Sequence, residues 1–168
     1  MPPGIHYPDL VPPPGWVAGA QGLQVRLVPP GETLAGSDCA IIVSPLVPRQ
    51  PLLPPPEKLV EETLFTEARH RLEITKQKGP TAQKAASGLA GVSYEVDGYV
   101  RPRSAPEKRI YVIYSDSLCY YAIAYLARAT AFEAHVADFW ATARSVRPFR
   151  GRAVAPTSAS PTATLYSD

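Results

Sequence analysis

"RIYVIYSDSLCYYAIAYLARATAFEAHVADFWATARSV", residues Arg109 to Val146, decides how this chain folds. It opens with two apolar runs, "RIYVIY" and "LCYYAIAYLA", about the short turn "SDS". Both runs are apolar at odd and even positions alike, so strands made from them have two faces to hide from water. That places the hairpin at the centre of a sheet. Next, "TAFE" (Thr130 to Glu133) fits a capping box, in which the Thr hydroxyl accepts from the Glu N–H and Glu reaches back. The helix that follows carries Phe132, Val136, Phe139, Trp140, Ala143 and Val146 on one stripe, and Pro148 ends it. One helix covers one face. A second layer has to come from elsewhere.

The best source is "EKLVEETLFTEARHRLEITK", where Val60, Leu64, Ala68 and Leu72 recur every four residues. Pro55 and Pro56 sit at its start, where a missing N–H costs nothing. Glu57, Glu61 and Glu62 suit the N-terminal end of the helix dipole. Upstream, Trp16 to Val28 splits at Gly19 and Gly22 into a hairpin, with Leu23, Val25 and Leu27 alternating with Gln24 and Arg26. "CAIIVSP" (Cys39 to Pro45) is a continuous run that reads as an interior strand. In "VSYEVDGYV", Tyr94, Val96 and Val100 share one face and Glu95, Asp97 and Arg101 the other, with a bulge expected at Gly98. Polar "KQKGPTAQKAASG" and proline-containing "RPRSAPEK" read as loops. The order is β–β–β–α–β–β–β–α: an α+β fold, an antiparallel sheet of about six strands flanked by two main helices. The helices supply one layer each, as an α/β/α sandwich, or one layer together with the proline-rich arm.

Composition limits the function classes. A chain of 168 residues fits one domain and needs no metal or disulfide to fold. Lys+Arg 17 against Asp+Glu 15 is too balanced for a general nucleic-acid binder. The nearest basic cluster, Arg144, Arg147, Arg150 and Arg152, reads as a helix C-terminus and a solvated tail. No run is long enough to span a membrane, and "MPPGIHYPDLVPPPGW" has neither the basic start nor the apolar core of a secretory signal. "LAGSDC" lacks the apolar stretch of a lipoprotein box and puts Asp38 where a small residue belongs. A cytoplasmic location follows as the expectation. Cys39 and Cys119 then read as buried thiols in a reducing compartment, with a disulfide between them as the lesser alternative.

Proline is the outlier. Of 20, fourteen lie between Pro2 and Pro56. Residues 1–15 read as an extended arm whose Ile5, Tyr7, Leu10 and Val11 lie on the domain's own surface or on a partner. Residues 16–148 form the single domain. Residues 149–168, rich in Ala, Ser, Thr and Pro, read as a flexible tail.

The wet strand "GVSYEVDGYV" followed by "KRIYVIYSDSLCYYAIAYLARATAFEAHVADFWATARSVRPF" resembles the Mog1/PsbP-like superfamily, with its DcrB-like (DUF1795) members. Those domains end on strand–turn–strand–helix, and Ser145 and Val146 match the signature that closes the last helix. The likeness spans about Trp16 to Pro148 and rests on apolar patterning. It implies an antiparallel sheet between helices and non-catalytic work: binding a small GTPase, serving photosystem II, acting as a lipoprotein, or loading secretion effectors as a cytosolic adaptor. Without a transit peptide or lipobox, the adaptor and GTPase-partner branches are the ones left. No diagnostic partner-binding residue of either branch is matched.

No catalytic constellation stands out. His6, His70 and His135 never fall with the two cysteines at metal-ligand spacing, so neither a metal nor a cofactor is expected. There is no nucleophile elbow and no phosphate-cradling glycine loop. A Cys119–His pair is the one conceivable nucleophile, but Cys119 sits mid-strand among apolar residues, where a thiol is inert. Asp116 and Ser117 are turn formers. For contacts, the candidates are Ile5, Tyr7 and Leu10 of the arm, and Tyr99 with Arg101 and Arg103, because Tyr and Arg dominate interface hot spots.

The sequence therefore points to a protein-binding module, a bacterial cytosolic adaptor or chaperone, or an accessory component of a secretion or contractile-injection type assembly. Its partner is another protein: an effector, a spike or assembly component, or a small GTPase. The alternatives are a structural subunit or homo-oligomer that embraces neighbours with arm and tail, a GTPase-binding regulator, and a Cys/His enzyme or small-ligand carrier.

Overall fold

The computed structural model describes residues 5–49, 54–70, 72–100 and 105–149. Its elements in chain order are β1 (Val17–Gln21), β2 (Gln24–Val28), β3 (Cys39–Val43), β4 (Val47–Pro48), α1 (Pro56–His70), β5 (Leu72–Lys84), β6 (Ala90–Val100), β7 (Pro106–Ser115), β8 (Cys119–Arg128) and α2 (Phe132–Arg144). The strands form one antiparallel sheet in the order β1-β2-β3-β8-β7-β6-β5, with β4 also paired to β8. The doubly apolar runs thus become β7 and β8, inside the sheet. The fold is α+β, with eight strands where about six were expected. The two additions are β4 and β5.

Alternation along β8 assigns its side chains to two layers. Tyr121, Ile123, Tyr125 and Ala127 join Phe132, Phe139, Ala143 and Val146 in one buried cluster, under α2. Tyr120 joins Val60 and Leu64 of α1 and Tyr94 and Val96 of β6 in another, on the opposite face. α2 packs over β8 and β3, while α1 packs over β5, β6 and β7. Tyr125 shows how tightly the α2 layer is specified. Its ring lies 5.5 Å from that of Phe139 and 5.3 Å from that of Phe132, and its hydroxyl donates to the Phe132 carbonyl at 2.8 Å.

The β7–β8 turn is built by Asp116. One carboxylate oxygen accepts from the N–H of Leu118 (2.8 Å) and of Cys119 (2.9 Å), and the other from the Tyr121 hydroxyl (2.7 Å). An acid is needed there because a short turn leaves backbone donors that only a side chain can reach.

Four local expectations are corrected. The helix predicted through Lys76 stops at His70, and Leu72 is instead a buried residue at the start of β5. "KQKGPTAQK" is strand, not loop: β5 is a sheet edge, where backbone pairing with β6 suffices and polar side chains face water. The irregularity expected at Gly98 is there but is carried by β5. The register shifts between Ile74, paired with Gly98, and Lys76, paired with Asp97, and again between Lys78 and Thr81, while Gly98 pairs in register with Glu107 of β7. Gly98 serves close approach, since a Cβ there would meet the Glu73 carbonyl oxygen at 2.4 Å. Finally, Ala131, not Thr130, precedes α2 as its cap, with no side-chain cap bond, so the capping box does not form.

The cysteines are free and buried. Cys39 lies opposite Ala127, eight residues further along β8 than Cys119. At ~3.3 Å per residue that is roughly 26 Å, which rules out the alternative disulfide.

The arm packs on its own domain. Leu46 N–H donates to the His6 carbonyl (2.8 Å), Tyr7 hydroxyl to the Leu23 carbonyl (2.6 Å), and Val11 N–H to Ser145 Oγ (2.7 Å). Asp9 forms a bridge with Arg147, joined by backbone and by guanidinium–carboxylate contacts at 2.9 Å. Ser145 and Val146 thus act as a fastening point: Ser145 for the arm, Val146 in the core.

Candidate functional site

Two places on this framework bring chemistry together: an open trough beside α1, and a cluster under the start of α2.

The trough exists because α1 sits to one side. Its cover over β5, β6 and β7 stops short of β2 and β3, where Val28, Ala40 and Ile42 are buried with Leu34, Ala124 and Leu126 in a smaller cluster of their own. Small side chains deepen it, with Ala122 and Ala124 of β8 on the floor beside Ile42 and Leu126. Val60 and Thr63 of α1 form one wall and Gln24 of β2 the other. This part holds about 250 Å³. It continues into a polar end of about 400 Å³, lined by Gln21, Arg26, Asp38, Glu107, Arg109 and Arg128. Gln24, Ile42, Arg109 and Leu126 line both.

The cations of the trough differ in how they are held. Arg109 is fixed by Glu107 at 3.2 Å and donates to the Tyr111 hydroxyl at 3.1 Å. Arg128 pairs with Asp38 at 3.1 Å, with both side chains more than half exposed. Arg26 donates from one terminal nitrogen to Gln21 Oε1 at 3.2 Å, while its Nε is buried without a hydrogen-bond partner. A buried donor left unmade costs about 1–3 kcal/mol. An acidic occupant would meet the part of the guanidinium that lines the polar end.

In the cluster, Glu32 of the β2–β3 loop, Cys39 at the start of β3 and His135 in the first turn of α2 place their ligand-capable atoms within 4.8 Å of one another. Cys39 is buried, and the other two are half-buried. Burial, reinforced by the Glu32 carboxylate, pushes the Cys39 thiol up to about 11. It is a poor nucleophile as it stands. Spacing in the sequence gave no hint of this trio, because its members come from three separate segments. The fold sets Cys39 against His135.

The expected contact residues are distributed differently. Ile5, Tyr7 and Leu10 are half-buried on the domain itself, with Leu10 against the α2-side core. Tyr99 is exposed on β6, while Arg101 and Arg103 lie outside the described residues. Ile5, Tyr7, Leu10 and Tyr99 are not among the residues that line the trough, whose arginines, Arg26, Arg109 and Arg128, sit on strands and could have been flagged only as polar positions in or beside apolar runs. Among the described residues, no helix is long and apolar enough to cross a membrane. In comparisons with known proteins, no family model matches the chain, and no curated protein matches it.

Proposed function

We propose that this chain is a non-catalytic protein-binding module that takes an extended segment of a partner protein into the trough beside α1. The observation that carries the reading is the open trough between α1 and β2, with an apolar floor and a polar end lined by Arg26, Arg109 and Arg128. Apolar floor and guanidinium end together suit a segment with aliphatic side chains next to an Asp or Glu. Its resemblance to Mog1/PsbP-like α/β/α sandwiches supports the finer form of the reading: a bacterial cytosolic adaptor or accessory component of a secretion or contractile-injection type assembly. The free cysteines suit a reducing compartment.

The test is selection from a random peptide library, with the bound site mapped by hydrogen exchange. Enriched peptides should combine apolar and acidic residues and protect amides of β2, β3 and β8. Arg26→Glu should weaken them at least about tenfold, which is about 1.4 kcal/mol. Protection confined to another surface, or indifference to Arg26→Glu, overturns the reading.

A second reading has an observation of its own. β1 is a sheet edge whose Val17, Ala18 and Ala20 are exposed, a surface onto which another strand can add. This favours a subunit of an assembly or a homo-oligomer. Light scattering across a concentration series separates the two, since only the second reading requires self-association.

A further inference from the structure

We propose that Glu32, Cys39 and His135 form a binding site for a divalent transition-metal ion of the zinc class. The ligand set is a thiolate, an imidazole and a carboxylate, which suits zinc and disfavours calcium and magnesium, both of which take oxygen ligands. Around a tetrahedral ion with bonds of 2.0–2.3 Å, ligand atoms lie roughly 3.3–3.8 Å apart. Their separation here, within 4.8 Å, needs a closure of about 1 Å, which rotation of the half-buried Glu32 and His135 side chains provides. Three protein ligands leave a fourth position for water on the side where Glu32 and His135 reach the surface.

The surroundings hold each ligand in place. His135 Nδ1 meets Asp138 Oδ2 at 3.3 Å, one turn on along α2, which leaves Nε2 as the ring nitrogen for the ion. This carboxylate–histidine pair is the arrangement that orients metal-bound imidazoles. The Trp16 ring lies edge-on to His135 with centroids 5.3 Å apart, fixing the ring from the other side. Ser37 Oγ donates to Glu32 Oε1 at 2.9 Å, and Asp38 N–H reaches the same oxygen at 3.3 Å. The buried thiol and the carboxylate beside it resist acquiring two negative charges together. A divalent cation removes that conflict, and the thiol proton leaves to solvent when it binds. The ion would tie together the β2–β3 loop, the start of β3 and the first turn of α2, which lacks a side-chain cap.

The experiment uses the full chain, stripped with chelator and titrated with cobalt(II), then with zinc(II) in competition. One equivalent of cobalt should produce the intense near-ultraviolet band of a thiolate-to-cobalt bond, abolished by one equivalent of zinc. Cys119→Ser should keep the band and Cys39→Ser should lose it. Because Cys39 is buried and its variant can misfold, His135→Gln and Glu32→Gln at half-buried positions carry the test independently. Each should weaken binding at least tenfold, and Asp138→Asn should weaken it about 10–100-fold through His135 alone. Absence of the thiolate band at one equivalent overturns the proposal, as does equal affinity in the native chain and His135→Gln. Cys39 also borders the polar end of the trough, but Glu32 and His135 are not among the residues that line it, so loss of cobalt binding in His135→Gln and loss of peptide binding in Arg26→Glu are read separately.

Discussion

The Tyr121 hydroxyl joins three parts of the molecule. It donates to Asp116 at the hairpin turn (2.7 Å) and accepts from the N–H of Phe149 beyond α2 (2.8 Å), while its ring lies in the α2-side core. Tyr121→Phe keeps the ring and strands both partners. It should cost about 1–3 kcal/mol, read as a lower urea midpoint at unchanged slope. The same residue predicts alkaline sensitivity. Burial pushes the Tyr121 hydroxyl up, opposed by the Phe149 N–H and reinforced by Asp116 and Cys119. Burial also raises Tyr114, against the charge of Arg144. An unfolded tyrosine ionises near pH ~10, so above that the unfolded chain sheds protons that the folded chain keeps. Stability is therefore fully present below about pH 10 and falls as pH rises beyond it, by about 1.4 kcal/mol per pH unit for each such tyrosine. Thermal unfolding across pH 8–11 checks this, and Tyr121→Phe should make the decline shallower.

At the scale of elements, the two faces of α2 do different work. Phe139 is fully buried and stacked on Tyr125, so Phe139→Ala should cost about 3–5 kcal/mol. Asp138, one residue earlier, has a side chain about half exposed and pairs with His135. Asp138→Lys should leave stability within about 0.5 kcal/mol. Equal losses from the two substitutions in chemical denaturation would show that the helix is not packed as described. The edge strand β5 obeys a different logic. Lys76, Lys78 and Lys84 are exposed along it and discourage further strands from adding there, whereas β1 carries no charged residue.

At the scale of the whole molecule, the question is whether the arm belongs to the fold or waits for a partner. Backbone bonds from Leu46 to His6 and from Arg147 to Asp9, with Leu10 against the core, make it part of the fold. The amides of Val11, Leu46 and Arg147 should therefore be protected from hydrogen exchange in the isolated protein. Removing residues 1–15 should destabilise it by about 2–4 kcal/mol, most of it from uncovering Leu10 and the end of α2. Unprotected amides at all three positions, with a truncated chain as stable as the whole, would contradict that view.

Sequence alone determined the centre of this protein. Two-sided apolarity in β7 and β8, the continuous run of β3 and the stripe on α2 are written into single segments, because burial on one or two faces sets a local period. It did not determine β5, since an edge strand needs only a backbone neighbour and leaves no period in its side chains. It did not determine the trough, which depends on how far α1 extends across the sheet, or the meeting of Glu32, Cys39 and His135. That meeting depends on the register that sets Cys39 opposite Ala127 and on where α2 docks, both decided by packing between segments far apart in the chain.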